Sequence, residues 1–242
     1  MKFLDYDSPL MQFLTKVANV MIINLLTIIC CIPVITIGAA LTAMHYMCLK
    51  MARNEDGYIV KGYFKAFKEA FKQATPVWLI LLVLICIFAG DFLILYFSAE
   101  EFNYWFQVAL SVVAIMVLFI FMMVFPLMGK FTNTTFQTLK NALVISIAKF
   151  PITLLMIVMN AIPIIVTLFF FQYFPLVLMF GMAAPAYAAA KLLNKYFLKL
   201  EEHILEVQAA QNGTPVQEME EDGEDERIFH DQLDEALVGK KD

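Results

Sequence analysis

Apolar residues fill this chain in long blocks, and short segments between the blocks carry nearly all of its charge. A helix needs about 20 mainly apolar residues to cross the ~30 Å hydrocarbon core of a bilayer. Four blocks meet that length or come close to it: 76–98, 103–128, 151–171 and 174–190. The last is the shortest and holds Gly181 and Pro185, which membrane helices tolerate where neighbours re-satisfy the backbone. A fifth block, Val17–Leu49, would be about 50 Å long as one helix. Pro33 removes an amide donor at its middle, and Gly38 adds backbone freedom. The block therefore predicts two helices, about 9–32 and 37–53, broken at Pro33–Gly38. A single tilted, kinked helix is the other reading.

Between the first two regions, Tyr58–Ala74 has a different pattern. Ile59, Val60, Tyr63, Phe64, Phe67, Ala70 and Phe71 recur at helical spacing, with Lys61, Lys65, Lys68 and Lys72 on the other face. Aromatic residues opposite lysines predict a helix in the interface plane that favours anionic headgroups; docking on a cytoplasmic partner is the competing reading. After the last span, Glu201–Gln211 should prolong the helix until Asn212-Gly213-Thr214-Pro215 ends it by turn chemistry. The acidic run Glu218–Glu226 predicts disorder. Beyond it, Ile228, Phe229, Leu233, Ala236 and Leu237 keep helical spacing, as a segment that folds on binding or a solvated end. The expected architecture is all-α: a polytopic bundle of five to six membrane helices over 1–200, including an interfacial amphipathic helix. A cytoplasmic helix extension and disordered acidic tail follow over 201–242.

Composition agrees with the pattern. Of 242 residues, 61% are hydrophobic and only 16% charged, whereas a soluble domain has about a quarter charged. The net charge of −5 averages two unlike parts: 14 Lys/Arg against 8 Asp/Glu in 1–200, and 3 against 14 in 201–242. Basic residues that flank apolar spans, beside an acidic tail, argue against nucleic acid as a partner. Lys50–Lys72, Lys130–Lys149 and Lys191–Lys199 alternate with connections at 98–104 and 172–175 that contain no Lys or Arg. Because Lys and Arg mark the cytoplasmic side, this predicts a multi-pass protein of the cytoplasmic membrane with its C-terminus inside. A first region that crosses twice puts Lys2 and Lys16 inside as well. Asp5 and Asp7, and the length of the apolar segment that follows, argue against a cleaved signal peptide.

Chemistry-bearing residues are few. Cys30, Cys31, Cys48 and Cys86 sit in apolar stretches without metal-type or Cys-x-x-Cys spacing, as small buried hydrophobes do. Ionisable groups inside a membrane are functional candidates, which singles out Asp91 and His45. With Thr36 and Thr42 beside the break at Pro33, they form a candidate polar intramembrane site. The plainer account is a carboxylate near the boundary and an interhelical histidine. Asn24, Thr36 and Asn160 are read as hydrogen-bonding between helices. Lys130-Phe131-Thr132-Asn133-Thr134-Thr135 could bind an anion or a partner, or simply cap a helix over Phe136–Ala148. No Walker A loop, Gly-x-Ser-x-Gly elbow, His-Glu-x-x-His or dinucleotide-binding glycine pattern occurs. The expectation is a protein with no catalytic residues, metal or cofactor.

Asn24-Leu25-Leu26, Cys31-Ile32-Pro33-Val34-Ile35-Thr36-Ile37-Gly38-Ala39, Thr42-Ala43 and Leu49-Lys50-Met51-Ala52-Arg53 resemble the opening signature of the YesL-like family. Phe125-Pro126-Leu127, Leu139-Lys140-Asn141-Ala142-Leu143 and Phe150-Pro151 extend the resemblance, which covers about 8–200 and departs from about 206. It implies an integral membrane protein of Gram-positive-type bacteria with no assigned biochemical function. It also implies an accessory role beside the permease or ATPase subunits of sugar transporters, with no family catalytic residues to transfer.

Overall fold

The structure is a computed structural model that describes residues 9–55, 57–98, 103–131 and 134–212. The described residues are helical: α1 Pro9–Cys30, α2 Ile37–Ala52, α3 Ile59–Ser98, α4 Tyr104–Lys130, α5 Thr135–Ala148, α6 Phe150–Phe169, α7 Phe174–Phe180 and α8 Ala183–Asn212. Single 3-10 turns precede α2 (Val34–Thr36) and α7 (Phe171–Tyr173). Five helices are long and apolar enough to cross a membrane, or six if the bent pair of α7 and α8 makes one span. The acidic run 218–226 and the pattern over 228–237 lie outside the described residues.

The first region is two helices, as Pro33 and Gly38 imply, and the single kinked helix does not form. They run antiparallel: Lys16 Nζ on α1 donates to Asn54 Oδ1 just after α2, at 2.6 Å. At the other end, Thr36 Oγ1 donates to Cys30 O at 2.6 Å and closes the turn. Eleven of the sixteen α2 residues are buried, and α2 touches α1, α3, α4 and α8. It is the core helix. Small residues allow this crowding, since they let backbones approach closely. A Cβ on Gly38 would lie 2.6 Å from Ala74 O and 2.5 Å from Trp78 Cβ, and one on Gly129 of α4 would lie 3.0 Å from Tyr46 N.

The segment expected as a helix of its own, 58–74, is instead the first half of α3, continuous for 40 residues through Pro76 into the expected span. Polarity changes at Pro76, and that change alters surroundings, not backbone conformation. Packing of the buried residues on either side, Ala74, Val77 and Leu81, holds the helix through one missing donor. The apolar face is largely protein-covered: Ile59, Tyr63, Ala66, Ala70, Ala74, Val77 and Leu81 are buried, at steps of three and four. Phe64 and Phe71 remain exposed.

The last expected span, 174–190, also differs. Gly181 and Met182 interrupt it, and α7 meets α8 at 49°. α8 then continues to Asn212, in line with the expected extension over Glu201–Gln211.

Candidate functional site

The four polar intramembrane candidates do not assemble. Thr36 Oγ1 donates to Cys30 O and Pro33 O, so its hydroxyl is spent on the turn. Thr42 is fully buried and donates to Gly38 O in its own helix at 2.9 Å. His45, half-buried one turn further on, and Asp91 make no hydrogen bond among the described residues. Gly38 lies against Ala74 and Trp78 of the antiparallel α3. His45 is seven residues from Gly38 in one direction, and Asp91 is thirteen beyond Trp78 in the other. At 1.5 Å per residue they stand roughly 30 Å apart along the bundle. Among the described residues no group of three His, Cys, Asp or Glu is placed to hold a metal ion.

The basic residues do assemble. Lys61, Lys65, Lys68 and Lys72 are all exposed along one side of α3. Met47 of α2 packs against Gly62, so this lysine row stands at the height of α2. Further basic groups hold fixed positions in the same half of the molecule. Arg53 Nε donates to Asn194 Oδ1 at 2.8 Å. Lys50 lies over the Tyr46 ring at 5.4 Å, Lys149 over Tyr196 at 4.5 Å and Lys191 over Tyr187 at 4.8 Å. Such cation–π contacts fix the cations near aromatic surface without neutralising them.

A third feature is the joint between α7 and α8, where the break would leave backbone groups open in an apolar setting. Asn24 of α1, itself fully buried, closes it with one amide. Its Nδ2 donates to Leu178 O at 2.8 Å, and its Oδ1 accepts from Met182 N at 2.9 Å and Ala183 N at 2.8 Å. Broken membrane helices often point such ends at a substrate; here the chain's own side chain fills the position. The interhelical reading of Asn24 holds. That of Asn160 does not, because its amide donates to Met156 O one turn back in α6. The cap before α5 differs as well: Thr134 stands at the N-cap, but its hydroxyl oxygen accepts no bond from the helix backbone, and its hydroxyl donates to Gln137 Oε1.

Two ties escaped the sequence reading. Trp78 Nε1 donates to Val34 O at 2.7 Å, and Tyr63 Oη donates to Ala40 O at 3.2 Å. Both fasten α3 to α2 or to the turn before it. Tyr63 sits on the expected apolar face, but its partner depends on the α2–α3 pairing, which no local pattern encodes.

No curated protein and no solved structure matches the chain. The family model described as "Protein of unknown function, DUF624" matches residues 20–92. That stretch runs from α1 through α2 to the outer part of α3, and over it the chain is similar to a family whose function is unknown.

Proposed function

We propose that the protein is a non-enzymatic accessory or scaffold subunit of the cell membrane, with its basic half and C-terminus on the cytoplasmic side. It works beside a carbohydrate uptake system, as the YesL-like resemblance implies. The family match over 20–92 covers the residues that carry the opening part of that resemblance and is consistent with it. The observation that carries the reading is the row of four exposed lysines on a helix fixed against the α2 core. A rigid cationic row offers anionic headgroups or an acidic partner surface a preformed site, and each lysine near such a surface contributes about 1 kcal/mol. Purification from native membranes in mild detergent should bring down permease or ATPase subunits. A clean monomer at native expression levels would overturn the reading.

A small independent transporter or lipid-binding protein is the alternative, and it would rest on Thr36, Thr42, His45 and Asp91. Their separation along the bundle weighs against a shared site. If Asp91→Asn and His45→Ala abolished uptake into proteoliposomes, the transporter reading would prevail.

A further inference from the structure

The lengths and contacts of α3 bear on where the bilayer lies. At 40 residues α3 is about 60 Å long, twice the ~30 Å hydrocarbon core. Only its first half lies along α2. Gly62 faces Met47, Gly38 faces Ala74 and Trp78, and the turn before α2 reaches α3 through Val34 O and Trp78. Beyond Trp78, α3 runs on for twenty residues beside α4: the Trp78 ring meets Phe121 and Phe125, and Ile85, Phe88 and Phe92 line one cavity with Ala114, Val117 and Leu118. The α1–α2 hairpin and the outer α3–α4 hairpin are therefore stacked end to end along α3.

The two levels have different surfaces. In the outer hairpin, Val83, Ile87, Phe92, Val112 and Ile115 are about half exposed or more, and Asp91 is the one Asp, Glu, Lys, Arg or His in 77–98 and 104–129. A helix pair that is apolar all round needs acyl chains, and about twenty residues per helix match the thickness of the hydrocarbon. The inner level has two unlike sides. α1 turns Phe13, Leu14, Leu25 and Ile29 outward, and α3 turns Lys61–Lys72 outward. A body with one apolar and one cationic side settles in the interface. The levels meet at Trp78, and Pro33, Pro76 and Pro126 each stand within two residues in sequence of Trp78 or of a residue it touches. Each proline lacks an amide donor.

We infer that the bilayer is crossed by the outer α3–α4 hairpin beyond Trp78, and that the α1–α2 hairpin lies in the cytoplasmic interface without crossing. In this placement the lysines of α3 face headgroups and water, while the apolar side of α1 and the tip at Ile32–Ile35 reach the acyl chains. The inference takes its inside from the orientation given under Proposed function. The depth difference does not depend on that choice.

Nitroxides placed singly at Leu25, Lys65 and Ile87 of the full chain, in proteoliposomes containing phosphatidylglycerol, test it. Collision with oxygen against a water-soluble nickel chelate reads depth. Leu25 and Ile87 stand roughly 25 Å apart along the bundle, so Ile87 should read near the bilayer centre, Leu25 shallow and Lys65 aqueous. Leu25 as deep as Ile87 would overturn the inference. An impermeant maleimide on intact cells supplies the side: Asn103→Cys should label from outside and Val34→Cys should not, with native cysteines replaced by Ser. Labelling of Val34→Cys from outside would overturn the inference. Labelling of Asn103→Cys from the cytoplasmic side only, with the depth difference intact, would overturn the orientation and leave the placement standing.

Discussion

At the scale of single residues, the bundle is held where a side chain or its absence answers a backbone need. Asn24 satisfies three backbone groups at the α7–α8 break. Asn24→Ala would leave them buried and unpaired, at a cost of about 1–3 kcal/mol, so the thermal midpoint in detergent should fall. Asn160→Ala is the control: it removes a bond inside α6 only, and the midpoint should move little. Glycines give a second pair of opposites. Gly38→Val would drive a branched side chain into Ala74 O and Trp78, which should cost about 1–3 kcal/mol. Nothing lies within 4 Å of a Cβ on Gly90, so Gly90→Ala should be neutral or stabilise α3 by up to about 1 kcal/mol. The same thermal unfolding series reads all four.

At the scale of elements, α3 joins two environments on one backbone. Its buried stripe keeps one register from Ile59 to Leu81, while the opposite side passes from lysines to isoleucines and leucines. Replacing Lys61, Lys65, Lys68 and Lys72 together by Gln should leave the fold intact, because all four are exposed. It should sharply reduce the anionic lipid retained through purification, as read by native mass spectrometry. Unchanged retention would mean that the row serves a protein partner. Element type and much of the order were legible because apolar length and helical spacing are local properties. Pro33 gave the hairpin and the lysine spacing gave the cationic face. The break at Gly181–Met182 was not legible, because it is stable only through Asn24, which lies far away in sequence. The scatter of Thr36, Thr42, His45 and Asp91 was equally hidden, since it follows from how α2 and α3 slide past each other. Composition brought those residues to notice, but only the pairing of Gly38 with Trp78 shows that they do not meet.

For the whole molecule, helix alternation gathers basic residues from distant parts of the sequence into one half. α4 runs parallel to α2 and antiparallel to α3, so Lys50, Arg53, the lysine row of α3 and Lys130 end up on the same side of the Trp78 level. Trypsin added to inside-out vesicles should therefore cleave the chain, whereas right-side-out vesicles should protect it. Cleavage from both sides would contradict the proposed orientation. One consequence of the Asn24 joint concerns biosynthesis. Asn24 precedes its partner Ala183 by 159 residues, so its amide emerges from the ribosome long before the backbone groups it will bind. Until α7 and α8 arrive, the first hairpin carries an unanswered amide, and the last helices settle less stably without it. Assembly closes last to first, and a chain arrested before Leu178 would keep that amide without these partners.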